Sequence, residues 1–266
     1  MHIVDGALSN PVLIGGAVLA AGGLAVGLRQ VTPENLPRVG VLSAVFFVAS
    51  LIHVPLGFSS VHLILNGLLG VVLGWAAFPA LFVALVLQAV FFGFGGLTVL
   101  GVNALNIAAP AVAVFYLCRW GMLPENRDWA RRGAVLLLLG FAAACVFAGE
   151  ELFARYQTGE TGWSFWVNVV ALLSFALVML FGAFLFYRGT LSEAGMWGFF
   201  GGSLSILLTA LMVAGSLALS GDEFLKAAEF VVVAHFPVMA LEGVLTASTI
   251  QLIYKVKPEL FHVARS

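Results

Sequence analysis

The chain has 266 residues, of which 62% belong to the hydrophobic set and only 9% are charged, with a formal net charge of −1. A soluble globular domain carries about a quarter charged residues, so this composition excludes a soluble enzyme, a disordered chain and a nucleic-acid binder. The cysteines, Cys118 and Cys145, sit in apolar surroundings and exclude a disulfide framework or a thiolate metal cluster.

Apolar runs near 20 residues recur along the whole length and are continuous rather than alternating. They predict an all-α integral membrane protein, a polytopic helical bundle, and not a β-barrel. The first residues, Met1-His-Ile-Val-Asp-Gly6, lack the positive region of a secretory signal, and no Lys or Arg precedes Arg29. The chain is therefore expected to keep its own N-terminus. Nine apolar segments follow, at roughly 7–28, 39–53, 61–77, 79–92, 99–118, 133–153, 164–187, 196–219 and 228–254. The first helix is expected to start near Pro11, a residue suited to a first turn. Gly23-Leu-Ala-Val-Gly27 and Gly70-Val-Val-Leu-Gly74 are GxxxG patterns, which permit close helix approach in lipid. Glycine is common in membrane helices, so the patterns alone name no contact.

Orientation follows from Lys and Arg. With the N-terminus outside, the inner loops hold Arg29, Arg38, Arg119, Arg127, Arg131, Arg132, Arg188, Lys255, Lys257 and Arg265, and the outer loops only Arg155 and Lys226. That bias predicts N-out, C-in and an odd number of spans, about seven to nine. His2, His53 and His62 then gather at the outer face, with His235 in the outer half of the last helix.

Four constellations carry candidate chemistry. At Met1-His2 the terminal amine, the His2 amide and the His2 imidazole can close two adjacent chelate rings, and nitrogens in a plane suit Ni²⁺ or Cu²⁺. The plain alternative is an ordinary start-of-chain histidine. In His53-Val-Pro-Leu-Gly-Phe-Ser-Ser-Val-His62 a Gly/Pro/Ser loop carries a histidine at each end. Either could supply a further nitrogen. His62, expected one residue into a helix that Ser59 or Ser60 would cap, is the better candidate, and His53 also fits a helix-end role. Around Gly93, Gly95 and Gly96 the helix breaks at the outer surface, and Asn103 and Asn106 follow at i, i+3. They could orient a ligand imidazole and residues 1–6, or tie helices together. Last, His235, Met239 and Glu242 share one helix face. A mid-span carboxylate is expensive unless paired, so this face must look inward, as a proton relay, an ion path or an interhelical bond. No GxxxxGK[ST], HExxH or GxSxG appears.

These blocks resemble the CbiM/NikM family, the substrate-binding membrane components of energy-coupling factor transporters for cobalt and nickel. The resemblance rests on Met1-His-Ile, on Pro55–Gly67 (PLGFSSVHLILNG), on Gln88–Asn106 (QAVFFGFGGLTVLGVNALN) and on Ala234–Leu260 (AHFPVMALEGVLTASTIQLIYKVKPEL), in the family's order. It implies a metal held by Met1, His2 and His62; from the residues themselves, His53, Asn103 and Asn106 stay candidate supporting groups and His235 and Glu242 a candidate interhelical polar site. It implies Co²⁺ or Ni²⁺ as the transported substrate and a bacterial cytoplasmic membrane location. The implied partners are a transmembrane coupling protein, two ATP-binding cassette ATPases and, in many members, a small accessory membrane protein. The chain would be a transport subunit, not an enzyme, with no nucleic-acid partner. Two features depart from the family: residues 119–195 read as a hydrophobic insertion within one membrane domain of residues 1–266, and Phe94 stands where the Gly-rich turn usually carries a polar side chain. Two rival readings are a proton-coupled secondary transporter or channel using Glu242, and an intramembrane enzyme, for which no nucleophile or activating motif is present.

Overall fold

The computed structural model describes residues 3–51, 53–56, 59–123 and 192–257, with scattered positions between 132 and 180. Helix α1 (Asn10–Leu28) opens with Pro11 in its first turn, where a missing N–H costs nothing. Helix α2 (Leu36–Ala49) leads into an antiparallel hairpin of β1 (His53–Leu56) and β2 (Ser59–His62). Then come α3 (Asn66–Leu73), a tight 3₁₀ turn at Gly74–Ala76, α4 (Ala77–Phe92) and α5 (Leu100–Gly121). Beyond the central stretch lie α6 (Glu193–Ala218), a 3₁₀ turn at Asp222–Phe224, α7 (Leu225–Ala234) and α8 (Phe236–Val256).

Local chemistry sets several of these ends. Helix α6 starts at Ser192, whose hydroxyl accepts from the Gly195 amide. Helix α4 stops at Gly93, which takes the left-handed conformation (φ +65°) and lets the Gly93 and Phe94 amides bond back to Ala89 and Gln88. The apolar stretches Asn10–Leu28, Asn66–Phe92, Leu100–Gly121, Glu193–Ala218 and Phe236–Val256 are long and apolar enough to cross a membrane. The chain is a multi-pass membrane protein.

Asn66–Phe92 is not one straight span. Helix α3 runs alongside α5 in the same direction, since Asn66 bonds Ile107 and Gly70 lies against Ala111. Helix α4 runs the other way. Its start packs on Gly27, at the end of α1, and its end leads into the turn at Gly93–Gly96 beside Asp5. Gly74, at φ +58°, makes the reversal. Thus α3 is a short arm descending into the bundle and α4 is the returning span. Residues 3–9, the turn at Gly93–Gly96 and Ser220 share one end of the bundle. Helix α8 leads away from that end, with Glu242 beside Gly202 and Ala247 beside Gly198.

The helical fold class is as expected, with three corrections. The run 61–77 is not helical throughout: His62 lies in β2, helix begins only at Asn66, and Ser59 and Ser60 are strand residues rather than caps. The run 228–254 is broken at His235, just before Pro237, which has no N–H to continue a ladder. The run 39–53 ends at Ala49, and His53 opens a strand. The runs 133–153 and 164–187, and most of the 119–195 insertion, lie outside the described residues.

Candidate metal centre

Residues 3–9 double back onto the bundle. The Ile3 amide donates to Asn103 Oδ1 (3.1 Å), and Asn103 Nδ2 donates to the Ile3 carbonyl (3.0 Å). One buried carboxamide thus satisfies both backbone groups of residue 3, as a neighbouring strand would. The Asp5 amide donates to Gly95 O (3.1 Å), the Thr98 hydroxyl donates to the Asp5 carboxylate, and the Ser9 amide donates to Ser220 Oγ (3.1 Å). Gly6 turns the chain at φ +85°. A Cβ on Gly96 would stand 2.1 Å from the Asp5 carboxylate. The Gly-rich turn therefore does more than end α4: it makes room for Asp5.

The hairpin register pairs His53 with His62. His62 is buried, and its Nδ1 donates to the Leu63 carbonyl (3.2 Å). Below it the chain stays extended and Leu65 takes a left-handed conformation (φ 52°). The amides of Ile64 (2.5 Å) and Leu65 (2.8 and 3.0 Å) donate to the Glu242 carboxylate, which is fully buried. Asn66 Nδ2 then donates to Ile107 O and Thr209 Oγ1, both at 2.9 Å. Asn103 and Ile107 are one turn apart on the same face of α5. The N-terminal segment and the His62 strand are therefore anchored side by side on one helix.

The other candidates separate clearly. Asn106 faces α6 and exchanges bonds with Ser216 (3.2 and 3.4 Å), so it ties helices together and does not reach residue 3. His235, Met239 and Glu242 are all buried. Glu242 holds the segment just after His62. Phe94 stacks near Phe92, at 5.6 Å between ring centres. Met1 and His2 lie outside the described residues, and for His53 only the backbone is described. Among the described residues no trio of His, Cys, Asp or Glu gathers in metal-ligand range. Sequence reasoning missed Asn66 and the grip of Glu242 on Ile64 and Leu65. The only trace of that grip was a mid-span carboxylate in need of a partner.

Residues 2–180 and 167–260 match the family described as the cobalt uptake substrate-specific transmembrane region, CbiM. The chain belongs to the CbiM family. It is 44% identical over 182 residues to a putative metal transport protein of Haemophilus influenzae, covering 68% of this chain and 86% of that one. It is 36% identical over 129 residues to the fused nickel transport protein NikMN of Rhodobacter capsulatus, 46% of this chain and 37% of that protein. A putative fused cobalt transport protein, CbiMQ, of Methanocorpusculum labreanum is 35% identical over 176 residues, 61% of this chain and 29% of that one. The chain thus spans only about a third of these fused relatives. A crystal structure described as a transition metal transporter shares the fold, with a TM-score of 0.60 over 96% of this chain and 93% of that one at 19% identity. As a CbiM-family member the chain stands among proteins of cobalt and nickel transport.

Proposed function

We propose that this CbiM-family chain is the substrate-specificity subunit of an energy-coupling factor importer for Ni²⁺ or Co²⁺. The ion binds near the outer face, on the Met1 amine, the His2 amide and imidazole, and His62 Nε2. The observation that carries this reading is the docking of Ile3 and Asn66 one turn apart on α5, through Asn103 and Ile107. It supports the reading because the segment that follows His2 and the segment that follows His62 are held side by side on α5. Asn103 fixes the backbone immediately after His2, as selection by planar geometry requires. The whole chain is one membrane domain, with the 119–195 insertion inside it, in the bacterial cytoplasmic membrane. It lies N-out and C-in, in keeping with ten basic residues on the inner side against two outside.

The chain is a transport subunit and no enzyme. ATP hydrolysis belongs to two partner ATPases, joined through a transmembrane coupling protein, with a small accessory membrane protein as a further partner. Relatives named as NikMN and CbiMQ fusions support the association with further transport components. The rival use of Glu242 as a proton site is disfavoured, because its carboxylate is engaged by two backbone amides.

The test is titration calorimetry with NiCl₂ or CoCl₂. Adding one residue before Met1, or His2→Ala, is expected to abolish binding, because the five-membered ring through the amine is lost. His62→Ala should do the same, while His53→Ala should weaken binding by no more than about tenfold. Each tenfold corresponds to about 1.4 kcal/mol. Unchanged affinity after N-terminal extension would refute the chelate, and a larger effect at His53 than at His62 would reverse their assignment.

A further inference from the structure

The chain between β2 and α3 is held in an uncommon shape. Leu65, at φ 52°, is the one non-glycine residue with a positive φ among the described residues. A bulky side chain rarely adopts that conformation, and it persists only where the surroundings over-determine it. Here three consecutive residues are fastened. The amides of Ile64 (2.5 Å) and Leu65 (2.8 and 3.0 Å) donate to the Glu242 carboxylate, and Asn66 Nδ2 donates to Ile107 O. Glu242 is fully buried, so no water competes for these amides at its carboxylate.

One of these bonds leads on to an imidazole. His62 Nδ1 donates to the Leu63 carbonyl oxygen (3.2 Å). A carbonyl can only accept, so Nδ1 carries the proton in this arrangement. The Leu63 carbonyl and the Ile64 N–H belong to the same peptide group, which is a rigid plane with its two polar bonds on opposite edges. Glu242 Oε1 thus grips one edge of the plane, and the His62 ring hangs on the other. A turn of the peptide would disturb both bonds together. Each bond also polarises the peptide in the sense that strengthens the other. Ligand imidazoles are commonly oriented by a carboxylate or a carbonyl on their second nitrogen; here a carboxylate acts on the ring through an intervening peptide.

We propose that Glu242 is a positioning residue for His62. Through the peptide that joins Leu63 and Ile64 it keeps the imidazole proton on Nδ1, fixes the direction of the ring and leaves Nε2 to meet the ion. The proposal rests on the reading of His62 as a ligand. A carboxylate that only tied α8 to this segment would leave the tautomer of the imidazole indifferent to it.

The experiment uses the full chain with its native N-terminus in lipid vesicles. The metal-free protein, labelled with ¹⁵N-histidine, is measured by NMR at an alkaline pH where imidazole is neutral, with His62 assigned from His62→Ala. NiCl₂ is titrated calorimetrically in parallel. Wild-type His62 is expected as the Nδ1–H tautomer alone; a mixture, or the Nε2–H form, would overturn the proposal without any variant. Glu242→Gln sets an NH₂ group against the amides, and Glu242→Asp keeps the charge but withdraws it by one methylene. Whichever of the two folds is expected to show a tautomer mixture at His62 and about 10–100-fold weaker Ni²⁺ binding. Ser203→Ala removes a different buried tie of α8, from Ser203 Oγ to Met239 O (3.0 Å). It is expected to lower the unfolding temperature and to leave tautomer and affinity as they were. Glu242 variants that behave like Ser203→Ala would overturn the proposal. If His62→Ala abolishes Ni²⁺ binding while the Glu242 variants keep tautomer and affinity, only the role of Glu242 falls. If His62→Ala leaves affinity intact, the reading of His62 as a ligand falls.

Discussion

Two asparagines three residues apart on α5 have different work to do. Asn103 clamps both backbone groups of Ile3, and Asn106 exchanges bonds with Ser216 on α6. Asn103→Ala frees the segment that follows His2 and leaves two buried backbone groups unmatched. It is expected to weaken Ni²⁺ binding by about 10–100-fold, the usual range for a group that orients ligands. Asn106→Ala removes a tie between helices and should lower thermal stability while leaving affinity within about threefold, a ratio worth under 1 kcal/mol. Calorimetry and a melting curve on each variant check this, and equal affinity losses at the two sites would contradict it. Spacing alone could not separate the pair, because i, i+3 neighbours share a face in any helix. The difference lies in partners 100 and 110 positions away.

The helices meet where side chains are missing. In the first GxxxG pattern, Gly23 lies under Phe78, and Gly27 lies against Trp75 and Pro79. In the second, Gly70 lies against Ala111, while Gly74 faces the Phe115 ring and makes the reversal into α4. A Cβ on Gly70 would fall 2.0 Å from the Ala111 carbonyl oxygen, whereas one on Gly22 meets nothing within 4 Å. Gly70→Ala is therefore expected to destabilise the protein by about 1–3 kcal/mol through overpacking. Gly22→Ala should be neutral or mildly stabilising, by up to about 1 kcal/mol. Thermal unfolding in detergent decides, and a neutral Gly70→Ala would show that α3 and α5 can part. The start of α1 at Pro11 and the stop of α4 at Gly93 were legible because each is a local event. The strand at His62 was not. An apolar run such as Val61–Leu65 reads equally well as buried helix or buried strand. What keeps it extended is a carboxylate 178 positions downstream. Likewise, the apolar pattern hid the break at His235, although Pro237 stood beside it.

At the scale of the molecule, the chain as proposed captures an ion and leaves the driving of transport to partners. It has no phosphate-binding loop of the GxxxxGK[ST] kind. Reconstituted alone into vesicles, it is expected to bind Ni²⁺ and to show no ATP-dependent accumulation. Radiolabelled nickel counted inside sealed vesicles with and without ATP is the measurement, and concentrative uptake by this chain alone would refute the subunit reading. The sequence conveyed the family, because the blocks that carry it depend on residue type. It did not convey the re-entrant path of α3, which depends on Asn66 and Gly70 finding α5.

The bond between Glu242 and the amides of Ile64 and Leu65 has a mechanical side. An α-helix is a stiff rod, and α8 extends for 21 residues from the break at His235 to Val256, at the far end of the bundle. That rod is fastened, through Glu242, to the two residues that follow Leu63 after the strand bearing His62. The far end of α8 and the segment that follows His62 are thus joined by one continuous helix and two hydrogen-bonded amides.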